Sequence, residues 1–163
     1  MRIFFRVKLY IVIAGLSVLL FSCAPQSCFE STESSLNASL YLNANTTGKL
    51  LAPDSLTVYG TGLSTNKLYD NAKSVTIAKF PLNSSTSYCT FFVIINGVTD
   101  TIQFKYTSYP HLISKECGYT YYHSLYDSLV YSRNIIDTIF IRNNNITTLN
   151  EENIRIFYKS PAK

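Results

Sequence analysis

The sequence predicts an all-β protein, an antiparallel immunoglobulin-like β-sandwich of about seven to eight strands. Apolar side chains alternate with polar ones at a period of two, which is the spacing of a strand with one buried face. Gly, Asn and Pro residues separate these runs, and the chain lacks a helical period flanked by capping residues. Its 163 residues, 47% of them hydrophobic and 15% charged, are enough for one folded domain and too apolar for a disordered chain.

Three short strands are predicted in the first half of the domain. Residues 36–42 alternate apolar and polar side chains, and residues 56–58 do the same before a glycine-containing loop. Val75 and Ile77 predict a third short strand, which Pro81 ends.

A β-hairpin is the strongest local prediction. Asn96-Gly97 follows the apolar run Tyr88–Ile95, and this dipeptide tolerates the positive φ angles of a two-residue turn. The turn fixes the register of the next strand. On the apolar face, the register pairs Ile95 with Val98, Phe91 with Ile102 and Cys89 with Phe104. On the other face, it pairs Phe92 with Thr101, Thr90 with Gln103 and Tyr88 with Lys105.

Two side chains on the apolar face of this hairpin are not ordinary core residues. Asp100, opposite Val93, is charged, and we place it near the hairpin turn, where solvent is close. Cys89, beside Phe104, is predicted to behave as a small buried hydrophobic side chain with a free thiol.

The second half of the domain is predicted to hold three more strands. They cover Tyr119–Ser124, Ile135–Arg142 and Ile154–Tyr158, and residues 143–153 form the last connection. Leu112–Cys117 has room for one helical turn. The single predicted domain therefore extends over residues 35–160.

The net charge of +4 is concentrated at the N-terminus, because Arg2, Arg6 and Lys8 lie within the first eight residues. The eleven remaining basic residues are balanced by ten acidic ones and are scattered singly along the chain. A nucleic-acid-binding protein needs a clustered basic face to neutralise phosphates. We therefore do not expect nucleic acid as a partner.

The first 23 residues, MRIFFRVKLYIVIAGLSVLLFSC, predict a lipoprotein signal peptide over residues 1–22. A basic start precedes an apolar run that is too short for a comfortable membrane span. The ending Leu20-Phe21-Ser22-Cys23 resembles a lipobox, although Phe21 is bulkier than the usual residue there. Acylation of Cys23 with two or three chains would give stable anchoring. The alternatives are a signal peptide cleaved elsewhere and an uncleaved N-terminal anchor.

Residues 23–34 are predicted to form the lipidated start and a polar tether to the domain. Ala24, rather than Asp, follows Cys23, which favours the outer membrane of a bacterial cell envelope and leaves the membrane face open. The expected partners are the membrane, through the anchor, and an envelope protein of unknown identity. Either face of that membrane is an oxidising environment.

Three further cysteines, Cys28, Cys89 and Cys117, leave one thiol unpaired in a monomer. Cys28, near the tether, and Cys117, followed by Gly118, lie outside the predicted strands. We therefore predict a Cys28–Cys117 disulfide. Two alternatives stay open, namely that all three thiols remain reduced or that Cys89 takes part in a disulfide.

No enzymatic activity, metal site or cofactor is predicted. A nucleophilic triad needs an activated nucleophile and a His held by a carboxylate, but the mature chain has only His111 and His123 and no G-x-S-x-G motif. A metal site built from His111, Glu116, Cys117 and His123 would have six-residue gaps, which do not match the close ligand pairs of zinc sites. The acidic residues are isolated and form no calcium loop.

The densest aromatic stretch runs from Tyr119 to Tyr131, and its possible binding residues are Tyr119, Tyr121, Tyr122 and Tyr126. Exposed rings there could stack on sugars or anchor a protein partner. The interpretation we favour is a strand with Tyr119, Tyr121 and His123 on one face and Tyr122 on the other, one side of which belongs to the core.

A series of short motifs gives the chain a family resemblance. The motifs are the lipobox, Cys28, Asp54–Gly60, Leu82-Asn83, Asp100–Phe104, Ile113-Ser114, Cys117-Gly118 and Ile136–Ile139. In this order they resemble a family of small Bacteroidota lipoproteins known as domain of unknown function 6452, over residues 28 to 142. The resemblance implies a similar lipoprotein of unassigned activity, with no known catalytic residues. Cys89 is not a landmark of the family, which agrees with a free thiol.

The sequence thus favours a non-enzymatic, lipid-anchored structural or interaction module of the cell envelope. The alternative is a lipoprotein that binds a glycan or another small molecule through the Tyr119–Tyr131 region. A concave, exposed aromatic cluster with converging polar groups would favour ligand binding. Buried rings would favour the interaction module.

Overall fold

The computed structural model describes residues 28–43 and 49–159, so the predicted signal peptide and Cys23 lie outside the described residues. Within these two stretches the chain forms twelve β-strands and no helix, and hence no helix able to cross a membrane. The strands are β1 (Ser35–Asn43), β2 (Lys49–Leu50), β3 (Leu56–Gly60), β4 (Tyr69–Ala72), β5 (Ile77–Pro81), β6 (Tyr88–Ile95), β7 (Val98–Ser114), β8 (Gly118–Leu125), β9 (Val130–Tyr131), β10 (Ile136–Ile141), β11 (Asn145–Ile146) and β12 (Ile154–Lys159).

The strands form two sheets. The five-stranded sheet has the order β10-β12-β1-β2, and β5 also pairs with β1. The seven-stranded sheet has the order β11-β8-β7-β6-β3-β4, and β9 also pairs with β7. This arrangement confirms the predicted all-β sandwich. The number of strands exceeds the prediction because several of them, such as β2, β9 and β11, are two residues long and leave no readable pattern.

One strand pair is parallel. β1 and β12 run side by side from Ala38 opposite Ile154 to Asn43 opposite Lys159, whereas the other pairings of the described residues are antiparallel. Parallel neighbours cannot be joined by a tight turn. Here almost the whole domain lies between the two strands, so local sequence carries no signal for this pairing.

The core lies between the two sheets. Phe80 of β5 packs edge to face against Phe91 of β6 and Phe104 of β7, with ring centroids 5.1 and 5.4 Å apart. Burial of each such ring contributes about 2–3 kcal/mol. The other large side chains that are fully buried are Leu36, Leu40, Leu56, Ile95, Ile102, Tyr106, Ile136, Ile146, Ile154 and Ile156.

The predicted β6–β7 hairpin is confirmed residue by residue. Ile95 lies opposite Val98, Phe91 opposite Ile102 and Cys89 opposite Phe104. Asn96 and Gly97 have φ angles of 51° and 83°, which a β-branched residue would adopt only with strain.

The third predicted strand is displaced toward the C-terminus. β5 begins at Ile77, which is half exposed, and its buried residues are Ala78 and Phe80. Val75 precedes the strand and only packs against the edge of the core. The inward positions are set by pairing with β1, because Phe80 lies opposite the buried Leu36.

The one-turn helix considered for Leu112–Cys117 is wrong. β7 continues to Ser114 and pairs with β8 through its second half, from Tyr106 opposite Leu125 to Ser114 opposite Gly118. Pro110 lies within this half. The missing N–H of a proline is tolerated there because, in the described part of the chain, these residues form a ladder with β8 alone.

Asp100 is buried, so the prediction that it lies close to solvent is wrong. Its side chain is 1% exposed and accepts four hydrogen bonds. The donors are the Ser132 hydroxyl and the backbone N–H groups of Asn134, Ile135 and Ile136, the last two at 2.8 and 2.7 Å. A buried carboxylate is tolerated when its oxygens are satisfied in this way.

The hydrogen bonds to Asp100 hold the chain where it changes sheets. Segment 126–132 runs alongside β7 in the seven-stranded sheet. The chain then crosses to the other sheet, where β10 begins at Ile136. Burial raises the pKa of the Asp100 carboxyl, but the hydrogen bonds, led by that of Ile136, outweigh burial and hold the pKa below its ordinary value. The carboxylate is therefore charged at neutral pH.

Buried asparagines hold the last connection against β1. Asn153 accepts the N–H of Asn37 at 2.9 Å through its side-chain oxygen. Its side-chain nitrogen donates to the carbonyls of Asn143 and Asn145 at 3.1 and 3.0 Å. The predicted connection over residues 143–153 is thus packed against the sandwich and includes the short β11.

Candidate functional site

The second half of β7 and β8 form a hairpin, residues 106–125, which we call the tyrosine hairpin. Its tip is the turn Lys115–Cys117. On one face, Tyr106, His123 and Leu125 are buried at the base of the hairpin. The next positions on the same face are exposed, so this end of the hairpin extends past the core. The exposed residues are Pro110, Leu112, Tyr119 and Tyr121.

The predicted strand, with Tyr119, Tyr121 and His123 on one face and Tyr122 on the other, is confirmed, but only the His123 end of that face belongs to the core. Tyr119 is 72% exposed and Tyr121 is about half exposed, whereas His123 on the same face is buried. The alternation predicted the shared face correctly. It could not show that the opposing sheet ends before the hairpin does.

Tyr122 lies on the opposite face of the hairpin. Its ring stacks on His111 with centroids 4.1 Å apart and meets Tyr109 edge to face at 6.2 Å. Its hydroxyl lies 3.3 Å from that of Thr148. Tyr126 is exposed beyond the end of β8. The four predicted binding residues therefore do not converge on one site.

The N-terminal segment, residues 28–34, lies along β8. The predicted disulfide between Cys28 and Cys117 is present and joins the segment to the hairpin tip, with the two Cα atoms 4.8 Å apart. The Thr120 hydroxyl donates to the Thr32 carbonyl at 2.6 Å, and the Ser34 hydroxyl donates to the Tyr121 carbonyl. The tip is thereby fixed to the start of β1.

The residues considered for a triad or a metal site have other roles. Cys117 is in the disulfide, and His123 is buried with Nδ1 2.8 Å from the Ser108 hydroxyl. Burial lowers the pKa of the His123 imidazole, so the ring is neutral at pH 7. Among residues 28–43 and 49–159, no three His, Cys, Asp or Glu side chains lie together in a way that could hold a metal ion.

An open cleft that the sequence did not reveal lies beside β3 and β6, with a volume of about 690 Å³. This volume is in the range of small-molecule sites. Its apolar walls come from Leu63, Leu68, Leu82 and Phe91. Its polar groups include Asn66, Thr86 and Cys89.

Cys89 is the free cysteine of the described chain, and its thiol is hydrogen-bonded rather than simply packed as a small apolar group. Its Sγ lies 2.9 Å from the Tyr106 hydroxyl, which also donates to the Asn83 carbonyl at 2.9 Å. Burial, followed by the contact with Cys89, raises the pKa of Tyr106 to about 12. The phenol therefore stays protonated at any physiological pH. The predicted free thiol and the position against the core are confirmed, but Cys89 is only half buried and faces the cleft, which corrects the prediction of a buried side chain.

A signal for this cluster was present in the register of the β6–β7 hairpin. Extending the predicted pairing by one residue, past Tyr88 and Lys105, places Tyr106 on the inward face with Phe104 and Cys89. The Tyr106 N–H does bind the Ser87 carbonyl at 3.0 Å. The cleft itself depends on the loop over residues 61–68, whose position no local pattern encodes.

The Tyr131 end of the aromatic region borders a second, shallower depression of about 550 Å³. The Tyr131 hydroxyl accepts the Ile139 N–H at 3.4 Å, and the Arg133 guanidinium lies over its ring at 5.3 Å from the centroid. Tyr131 thus connects the segment that follows β8 to β10.

The family model "Family of unknown function (DUF6452)" matches residues 55–158. The chain belongs to this family. Searches among curated proteins and among solved structures found no match. The family description assigns no activity. Candidate functions of the DUF6452 domain therefore depend on its own residues and their geometry.

The match defines which features lie within the DUF6452 region. Four features lie between residues 55 and 158, namely the cleft, Asp100 with the segment that it binds, the tyrosine hairpin and Cys117. Cys28 and β1 precede it, and the match continues past residue 142, where the predicted resemblance ended. The DUF6452 domain therefore offers two candidate surfaces, an apolar cleft and an exposed hairpin joined by a disulfide to the N-terminal segment.

Proposed function

We propose that this protein is a lipoprotein of the Bacteroidota cell envelope that presents a non-enzymatic structural or interaction domain. In this proposal the signal peptide over residues 1–22 is removed and Cys23 is acylated. The acyl chains confine the domain near the membrane and raise its effective concentration for neighbouring proteins. No cofactor, metal or nucleic acid takes part.

The observation that carries the proposal is the Cys28–Cys117 disulfide. Disulfides persist in secreted and envelope proteins and are rare in the cytosol, where thiols are kept reduced. Cys28 lies only five residues after Cys23, so the oxidised residue and the candidate lipobox belong to one short segment. The disulfide and the candidate lipobox both support export from the cytosol. They are independent arguments, because one depends on thiol oxidation and the other on recognition of the signal peptide.

The location within the envelope follows from the residue after the candidate anchor. Ala24 at the second mature position lacks the carboxylate of an inner-membrane retention signal. We therefore place the protein in the outer membrane. The partner in this proposal, besides the membrane itself, is another envelope protein.

Replacing Cys23 tests this proposal directly. Cys23→Ala should abolish incorporation of a palmitate analogue and release the protein from the membrane fraction. Cys89→Ala is the matched control, since it removes a thiol that forms no disulfide and should leave both properties unchanged. Equal labelling and membrane association of Cys23→Ala and the wild type would refute acylation at Cys23.

The cleft supports a second candidate function, the binding of a small apolar molecule or glycan. The sequence placed this alternative in the Tyr119–Tyr131 region, but Tyr121 and Tyr122 point to opposite faces. The cleft is concave and combines apolar walls with polar groups such as Cys89, as ligand sites do.

Native mass spectrometry of the full chain, extracted gently from its own membranes, tests the cleft. A ligand in the cleft should appear as an added mass on the wild type and be lost in Leu82→Arg, which places a charge in the wall. Leu149→Arg is the control, because Leu149 is exposed outside the cleft. The absence of added mass on the wild type, or its retention in Leu82→Arg, would remove this candidate.

A further inference from the structure

Exposed apolar side chains surround the disulfide at the tip of the tyrosine hairpin. Phe29, the residue after Cys28, is 90% exposed, and Tyr119, two residues after Cys117, is also mostly exposed. Leu112 lies opposite Tyr119 in the ladder and is about half exposed. Such side chains in one small area are unusual on a surface that meets only water.

Few charged side chains lie in the same area. Between residues 106 and 125 the Lys, Arg, Asp and Glu residues are Lys115 and Glu116, which are adjacent and of opposite sign, and the segment beside the hairpin adds the exposed Glu30 and Glu33. The rest of the hairpin surface carries tyrosine, threonine and serine side chains, which combine apolar surface with hydroxyl groups. Amphipathic rings of this kind are enriched where proteins meet the headgroup layer of a membrane.

The length of the chain before the disulfide fixes how far this tip can be from Cys23. Cys28 lies five positions after Cys23, so their Cα atoms are at most about 18 Å apart, whatever the conformation. The disulfide places Cys117 within 4.8 Å of Cys28, measured between Cα atoms. An acyl chain on Cys23 would therefore hold the hairpin tip next to the lipid headgroups.

We propose that the tip of the tyrosine hairpin contacts the lipid bilayer, with Phe29, Leu112 and Tyr119 in the interfacial layer. This inference rests on the proposed acylation of Cys23. The disulfide then sets the orientation of the domain, because it keeps the hairpin tip, rather than another face of the domain, close to the acylated Cys23. The Asn96-Gly97 turn, at the opposite end of β7, points away from the membrane.

The absence of Trp from the chain makes a clean test possible, since one substitution introduces a unique fluorophore. Tyr119→Trp places it at the tip, and Val98→Trp, a control at another exposed position, places it at the opposite end of β7. Each acylated full-length variant is reconstituted into phosphatidylethanolamine and phosphatidylglycerol vesicles whose acyl chains are brominated near the headgroup. Intact mass and co-sedimentation of the same samples report acylation and anchoring.

The proposal predicts that brominated lipid quenches the fluorescence of Tyr119→Trp at least about twofold and leaves that of Val98→Trp unchanged. Acylated, co-sedimenting protein with no quenching in Tyr119→Trp would overturn the orientation and leave the proposed function intact. Protein without acyl chains that does not co-sediment would overturn both. Equal quenching in the two variants would show that the domain has no preferred face toward the bilayer.

Removing the disulfide sharpens the test. With Cys28→Ser and Cys117→Ser, the first contact between the segment and β8 is at Thr32, nine residues from Cys23, so the tether lengthens to about 32 Å. Quenching of Tyr119→Trp should fall toward that of Val98→Trp, although the protein stays acylated. Unchanged quenching would show that the disulfide does not set the orientation.

Discussion

The two halves of β7 share one alternating pattern but lie in different surroundings. In the first half, Val98–Lys105, every second side chain from Asp100 onward is buried between the sheets. In the second half, Tyr106–Ser114, Tyr106 is buried but the later positions are exposed or only partly covered. The first half is held by packing against Phe80 and Phe91, the second by the ladder with β8 and the disulfide at the tip.

This difference shows what alternation can and cannot predict. A period of two indicates that a segment is a strand and which side chains share a face. It does not indicate whether anything covers that face. Tyr119 and Phe104 lie on the same face of the sheet, the face that points toward the core. Only Phe104 is covered by the opposing sheet.

The largest expected difference between the halves comes from truncating one apolar side chain in each. Phe104→Ala should destabilise the protein by about 3–5 kcal/mol, because it leaves a cavity beside Phe80 and Phe91. Leu112→Ala should change stability by less than about 0.5 kcal/mol, because its side chain is half exposed. Urea unfolding of the oxidised protein measures both, and similar losses would contradict the distinction between the two halves.

Removing the disulfide should destabilise the protein by about 2–4 kcal/mol. Cys28 and Cys117 are 89 residues apart in sequence, so the bond restricts a long loop of the unfolded chain. The double Cys→Ser variant is compared by urea unfolding with Cys89→Ser, which removes a thiol that forms no disulfide. A loss equal to that of the Cys89 variant would show that the bond does not constrain the unfolded chain.

Asp100→Asn should destabilise the protein by about 2–3 kcal/mol at pH 7. The amide keeps the shape of the carboxylate but presents an NH₂ group where two N–H or O–H donors point. Since the pKa of Asp100 is lower in the folded protein, its contribution is complete above the unfolded value of about 3.9 and is lost as pH falls through the folded pKa. The Asp100→Asn variant should therefore lack this loss of stability at acid pH. Thermal unfolding of the wild type and the variant from pH 2 to pH 7 measures the difference. If the variant loses as much stability as the wild type, the acid-dependent loss comes from another group.

His123 should produce a smaller pH effect in a different range. Because burial lowers its pKa in the folded state, the unfolded chain takes up a proton first, and stability should begin to fall as pH decreases below about 6.5. His123→Gln should flatten the dependence of stability on pH between pH 7 and pH 5, because the variant lacks the imidazole whose pKa burial lowers. Identical slopes for the wild type and His123→Gln would contradict the effect of burial.

The features predictable from the sequence are those encoded locally. Asn96-Gly97 determined a register that holds for all eight pairs of β6 and β7, and the positions of Cys28 and Cys117 outside the strands indicated their disulfide. The features that were missed depend on distant parts of the chain. Asp100 is buried because segment 132–136 crosses between the sheets above it, and the cleft forms because the loop over residues 61–68 folds beside β6.

Intact-mass spectrometry of protein extracted from membranes without reductant tests the central claim most directly, namely an acyl anchor on Cys23 that the Cys28–Cys117 bond ties to the folded domain. The expected mass is that of a chain beginning at Cys23, with a diacylglyceryl group on its thiol, a third acyl chain on its amine in the triacylated form, and two hydrogens lost to one disulfide. A mass that still includes residues 1–22, or one without acyl chains, would contradict the anchor. A mass with all the thiols reduced would contradict the tie between the anchor and the hairpin.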